Sequence, residues 1–201
     1  MTSDLPDEVR SLLDARFAAR EKAIGDSRKV IRAAANGIRA LHRSEWDEAD
    51  GLITESGEIL GHITEILAEN PELMSHAVVL DAEKEYAEAR ITQAIFTGSD
   101  VPDFHGLSID PVPYLHGLGE AVGEMRRRML DLLRADDLEE AEELLDEMDR
   151  IVDLLASMDY PDGMTNGLRR TTDVARSLVE RSRSDLTATV VQDRLRRDLK
   201  G

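Results

Sequence analysis

Along most of this chain the apolar residues recur three and four positions apart, and no stretch alternates apolar with polar residues as a half-buried strand would. The run Trp46, Ala49, Ile53, Leu60, Ile63 and Leu67 illustrates it, since these positions fall on one side of a helix. A chain patterned this way buries its apolar surface by packing helix against helix, so the expected fold class is all-α, a bundle of six or seven helices. The aromatic content agrees, with three Phe, three Tyr and one Trp among 201 residues.

Breaks in the pattern set the expected elements. Pro6 opens a first helix that runs to about Leu41, with a break expected near Gly25. Ser44, with Asp47 three residues on, is the expected N-cap of the second helix. Asn70-Pro71 closes that helix and starts the third, which runs to Phe96 and stops at Gly98. Residues 98–111 carry turn residues without periodicity and read as a loop. A fourth helix follows from about Pro113 to Arg134, and Asp136 with Glu139, or Asp137 with Glu140, offers a capping box for the fifth. Residues 160–166 read as a turn, and a last helix starts at Gly167 and runs toward a polar tail, 194–201, that is prone to fray. No repeat or low-complexity tract divides the chain, so residues 1–201 read as a single domain.

Composition removes several function classes. Cysteine is absent, which excludes disulfides, thiol catalysis and cysteine zinc sites, and leaves carboxylates and five histidines as ligands. No apolar run is long enough for a membrane span and the N-terminus lacks signal-peptide character, so no membrane partner and a cytoplasmic location are expected. A formal charge of -17 ordinarily disfavours nucleic acid, whose affinity comes from phosphate neutralisation. Here, however, only four lysines accompany 21 arginines and acid is spread along nearly every segment, a pattern associated with very salty cytoplasm. At about 1 M salt the Debye length is roughly 3 Å, so long-range repulsion is suppressed and close contacts decide. A halophilic protein of this kind is expected to lose folded signal on dilution into low salt.

The acids that attract attention lie within the apolar runs. In EKEYAEAR, residues 83–90, Glu85 and Glu88 are three apart on one helical face, with Asp81 four residues earlier on the same stripe. In GEAVGEMRR, residues 119–127, Glu120 and Glu124 are four apart, and His116 extends that stripe by one turn. If the third and fourth helices pack side by side, four carboxylates converge. Like charges in partial burial repel, and a divalent cation relieves that cost; an all-oxygen site suits Mg²⁺ or Mn²⁺. In a chain with 42 acidic residues such pairs also arise on solvated faces, so spacing alone leaves the surface reading open.

A resemblance narrows the choice. EYAEA, residues 85–89, followed after an irregular loop by PYLHGLGEAVGEMRR, 113–127, and by NGLRRTTDVARSL, 166–178, is similar in content and order to the translin family, and closer to translin-associated factor X than to translin itself. The similarity extends from about residue 25 to 186, with the two acidic segments the most distinctive. The resemblance implies a seven-helix bundle of the translin type assembling into a hollow octamer that binds single-stranded RNA or DNA. It also implies Mg²⁺-dependent endoribonuclease chemistry, with Mn²⁺ as the substitute cation. The family's catalytic acids fall on Glu85, Glu88 and Glu120, with Glu124 an adjacent candidate that either ligates metal or acts as a base. Glu120 stands where the family tends to have Asp, one methylene shorter.

Binding RNA also needs cations. Arg28, Arg32, Arg39 and Arg43 share one helical face, with Asn36 in the gap, and suit either phosphate contacts or ion pairs with neighbouring acids. The basic stretch that the family carries before its acidic motif is thin here, with little beyond His76 and Lys84. Arg126, Arg127, Arg128, Arg169 and Arg170 are secondary candidates for phosphate contact. His42, His62 and His105 show no partner at metal spacing, and His116, Met125, Met129, Tyr86 and Tyr114 read as packing or structural residues. Two other function classes stay in view: a non-catalytic single-stranded nucleic-acid-binding bundle, and a ferritin-like metal bundle. The latter wants Glu-x-x-His motifs, whereas Glu58 and His62 are four apart.

Overall fold

The computed structural model describes residues 5–70 and 77–199, so the expected Pro71 helix start and His76 lie outside the described residues. In chain order the elements are α1 (Leu5–His42), α2 (Trp46–Glu69), α3 (Ala77–Thr97), α4 (Phe104–Leu107), α5 (Pro111–Arg134), α6 (Leu138–Ala156), α7 (Asp162–Thr165) and α8 (Leu168–Asp198). Six are long and two are single turns, and no strand occurs among the described residues. The fold is the expected all-α bundle.

The helices α3 and α5 form the middle of the bundle. On one side α3 meets α1 and α2; on the other, α5 meets α6 and α8. Because α3 is enclosed, it buries residues all round, among them Val79, Ala82, Tyr86, Ala87, Ala89 and Ile91. Glycine sets how close its neighbours come. A Cβ on Gly117 would lie 2.7 Å from the Ala87 Cβ and 2.9 Å from both the Glu88 nitrogen and the Lys84 carbonyl oxygen. The backbone of α5 thus presses on α3 at the turn carrying Lys84 and Glu88. Met125 and Met129, both fully buried, fill the core as expected.

Several element boundaries differ from expectation. Helix α1 continues through Gly25, which has open space around its Cβ position, so that glycine costs helix propensity without breaking the helix. Ser44 is not the N-cap of α2. It adopts a left-handed conformation at φ 59° and closes α1, its N–H bonding to Leu41 O at 2.9 Å while Glu45 N–H bonds to Ala40 O at 3.0 Å. Gly98 and Asp136 end α3 and α5 in the same paired way. Of the two capping boxes weighed, only half of the Asp137 one forms: Asp137 is the N-cap and accepts from Glu140 N–H at 3.3 Å, but its own N–H bonds Leu132 O and the Glu140 carboxylate is held by Arg128. The expected loop 98–111 contains the single turn α4, capped by Asp103, and the 160–166 turn contains α7. Helix α5 begins two residues before Pro113, because Asp110 accepts from Val112 N–H at 2.9 Å and caps it there. Helix α8 begins at Leu168, with Gly167 as its left-handed N-cap, and stays helical through Asp198, into the tail expected to fray.

Candidate active site

The Gly117 contact sets α3 and α5 so that one turn of each faces the other, and three carboxylates meet there, with Glu124 one turn beyond Glu120 on α5. One oxygen each from Glu85, Glu88 and Glu120 lie within 4.8 Å of one another. Oxygens around one octahedral Mg²⁺ sit roughly 3.0–4.2 Å apart, from bond lengths of about 2.0–2.1 Å, so small side-chain adjustments suffice for the three to hold one hard cation. Asp81 is exposed and stays outside the triad.

Burial is graded across the cluster. Glu88 is 8% exposed, whereas the Glu120 side chain is 40% exposed. Burial pushes the Glu88 carboxyl up to about 8, and the charges of Glu120, Glu85 and Glu124 add to that rise against the opposing pull of Lys84. Burial also raises Glu85, despite the nearby Lys84. The Lys84 ammonium lies 2.9 Å from Glu120 and 3.3 Å from Glu85. Its own burial would lower it, yet the bonds to these two carboxylates outweigh that and hold it above the ordinary lysine range. The single lysine leaves most of the negative charge uncompensated, which is the electrostatic setting a divalent cation fits.

Glu124 is held from a third helix. His42, at the C-terminal end of α1, puts its Nε2 2.5 Å from a Glu124 oxygen. Its side chain is 4% exposed, its ring meets Phe96 edge-on at 5.4 Å, and its Nδ1 has no hydrogen-bond partner among the described residues. The sequence offers His42 no partner at metal spacing, and in the fold its hydrogen-bond partner is this glutamate of α5. The contact spans 82 positions, and no spacing rule within one helix reports it. His116 is structural: Nε2–H donates to the Thr165 carbonyl at 2.9 Å and Nδ1 meets the Thr171 hydroxyl at 2.8 Å, tying α5 to α7 and α8. Beside it, Leu80, Asp81, Lys84, Val112, His116 and Glu120 line much of a cavity of about 190 Å³.

Of the remaining candidates, Tyr86 is buried and packs its hydroxyl over Gly57, and Tyr114 donates to Pro102 O at 3.0 Å, so neither reaches the carboxylates. Glu83, two residues before Glu85 in sequence, faces Asp110 instead; burial, then the Asp110 charge, push its carboxyl up to about 7. Glu58 and His62 are both exposed on α2, so no ferritin-like pair is assembled there. Arg126 bonds Ser182 and Asp185, and Arg128 bonds Glu140, so both tie helices together. Arg127, Arg169 and Arg170 are exposed.

Arg28, Arg32 and Arg39 of α1 and Arg43 just beyond its end are all exposed. Arg28 and Arg32 make no hydrogen bond or ion pair among the described residues. Arg39 donates to Asn36 at 2.5 Å, and Arg43 pairs with Glu45 and, at 3.8 Å, with Glu48. The ion-pair reading therefore holds for Arg43, and the stripe ends next to His42 at the corner where α1 reaches the carboxylates.

An all-α bundle with carboxylates of two central helices gathered at one point defines the class, and comparison with known proteins places it. No family model matches the chain. It is 30% identical over 186 residues to the uncharacterized protein MJ0175 of Methanocaldococcus jannaschii, a match covering 91% of this chain and 82% of that protein. It superposes on the crystal structure of AfC3PO with a TM-score of 0.85 and 31% identity, covering 92% of this chain and 97% of that one. The AfC3PO complex with duplex RNA gives a TM-score of 0.84 at 30% identity, covering 92% and 96% of the two chains. Apo-NeC3PO shares the fold, with a TM-score of 0.84 at 18% identity over 94% of this chain and 98% of that one. The chain belongs to the translin family.

Proposed function

We propose that this protein is a metal-dependent endoribonuclease, with Glu85, Glu88 and Glu120 as the ligands of Mg²⁺ or Mn²⁺ and single-stranded RNA as the substrate. The observation that carries this reading is the convergence of three carboxylate oxygens within 4.8 Å, one of them on the buried Glu88. The similarity to AfC3PO, solved with duplex RNA, supports an RNA ligand. A bound divalent cation would neutralise charge on the scissile phosphate and lower the pKa of an attacking water. Glu85, Glu88 and Glu120 would hold it. Lys84 would yield its place between Glu85 and Glu120, becoming free to meet a phosphate oxygen. Glu124 would either complete the ligand set or take a proton from the water. Arg28, Arg32, Arg39 and Arg43 form a cationic stripe leading toward the site and suit the phosphates of the strand.

Self-assembly is part of the same proposal, as a hollow homo-octamer. It is supported by apolar side chains exposed on the first turns of α1, from Leu5 and Val9 to Leu12, Leu13 and Phe17, and on the last turns of α8 at Val191 and Leu195.

One observation favours a second reading, a non-catalytic single-stranded RNA- or DNA-binding protein: Lys84 bridges Glu85 and Glu120 and so partly satisfies the acids without any cation. Cleavage of end-labelled RNA, single-stranded against duplex, in Mg²⁺ or EDTA separates the two. We expect cleavage that requires Mg²⁺ and is lost in Glu88→Gln while RNA binding persists. Binding without cleavage supports the second reading, whereas cleavage by Glu88→Gln as fast as by the native protein overturns the assignment of the carboxylate cluster as the catalytic site.

A further inference from the structure

We propose that His42 is a positioning residue for Glu124, which makes the centre a three-helix site rather than a two-helix one. The inference rests on the reading of the carboxylate cluster as the catalytic centre. Three observations carry it. The His42 ring sits at the last residue of α1, with its side chain 4% exposed, while Glu124 belongs to α5. Its Nε2 lies 2.5 Å from the Glu124 carboxylate, and because a carboxylate oxygen accepts, the proton is on Nε2. Its Nδ1 is buried without a partner. A residue placed there for packing alone would not bury an unsatisfied nitrogen, which carries a desolvation cost.

Glu124 is one helical turn beyond Glu120, and its charge reaches Glu88. A free glutamate side chain samples many rotamers. With Nε2–H donating to one oxygen, the carboxylate is restrained and its second oxygen is left for a ligand or a proton. Histidine-carboxylate pairs that orient a ligand in this way typically change metal affinity or activity about 10- to 100-fold when broken. The edge contact with Phe96 at 5.4 Å fixes the ring itself, so the restraint passes from α1 through His42 to α5.

The test compares RNA cleavage in Mg²⁺ by the native protein, His42→Phe, His42→Gln, Glu124→Ala and the double variant His42→Phe/Glu124→Ala. His42→Phe keeps the ring volume and removes the donor; His42→Gln keeps a donor near the Nε2 position. We expect kcat to fall about 10- to 100-fold in His42→Phe with KM unchanged, to recover largely in His42→Gln, and to change little when His42→Phe is added to Glu124→Ala. His42→Phe with native kcat, or an equal loss added on top of Glu124→Ala, overturns the proposal. A readout independent of activity is the ¹⁵N NMR signature of His42: a protonated Nε2 and an unprotonated Nδ1, with the hydrogen-bonded proton signal lost in Glu124→Ala. If that signature is present and the native protein does not cleave RNA, the catalytic reading of the cluster has failed and His42 is reduced to a structural tie. If the signature is absent in a protein that does cleave, the cluster reading stands and the role of His42 is overturned.

Discussion

Among single residues Glu88 matters most to the site, being the most enclosed of the four acids. Its carboxyl is raised to about 8 by burial and by the charges of Glu120, Glu85 and Glu124. Between the ordinary carboxylate range and about pH 8 the folded state therefore keeps a proton that the unfolded chain has lost, and folding stability falls as pH rises through that window. Glu83, raised to about 7, acts in the same direction. In EDTA the melting temperature should decline from pH 5 to pH 9, and Glu88→Gln, which cannot lose that proton, should flatten the decline; parallel curves for the two proteins would remove Glu88 as its source. Added Mg²⁺ competes with the proton, so the rise in melting temperature that it produces should grow toward pH 9. The sequence made Glu85, Glu88, Glu120 and Glu124 visible because three- and four-residue spacings project onto one helical face. His42 was not visible, since its link to Glu124 depends on how two helices far apart in the chain meet. Lys84 was visible as a residue but not as the bridge between Glu85 and Glu120, which needs both helices in place.

At the scale of elements, the site depends on how closely α5 approaches α3. Gly117 provides the contact, with its Cβ position 2.9 Å from the Lys84 carbonyl and the Glu88 nitrogen. Both are backbone atoms that cannot swing aside, so Gly117→Ala has to push the helices apart at the turn that carries the carboxylates. Overpacking of this kind costs about 1–3 kcal/mol. The expected result is a lowered denaturation midpoint with unchanged helix content, together with weaker Mn²⁺ affinity in a calorimetric titration; native affinity would separate the helix spacing from the site. The long helices were legible from periodicity. Their ends were less so. Ser44 and Asp136 are residue types that favour N-caps, yet both close the preceding helix in left-handed conformations. Connections this short leave only three residues between one helix and the next, and composition does not say which end such a residue serves. The turns α4 and α7 escaped for a related reason: four residues are too few to show a period.

For the whole molecule, the feature that stands out is the exposed first third of α1. Residues 5–18 are all exposed, and Ala23 is the first buried residue of that helix. At about 1.5 Å per residue this is roughly 20 Å of helix whose apolar side chains face outward. Phe17, 64% exposed, stands out among them. Light scattering is expected to give the mass of a multi-chain assembly, and Phe17→Asp to shift it to smaller species with the helix content kept; a native protein that runs as a monomer would contradict the assembly. Many described ion pairs on the surface join residues three apart in one helix, such as Arg10 with Asp7 and Arg150 with Glu147. Exposed pairs of that kind add little stability, so the charge of -17 shapes the surface more than the fold. Charge repelled across the outside is diffuse; inside, the carboxylates meet at one point. Anomalous diffraction from a crystal soaked in Mn²⁺ at pH 8 would show whether that convergence holds a cation. We expect a manganese peak at about 2.0–2.2 Å from oxygens of Glu85, Glu88 and Glu120, with Lys84 displaced. A cluster still bridged by Lys84 and without a peak, in a crystal that binds manganese elsewhere, would contradict it.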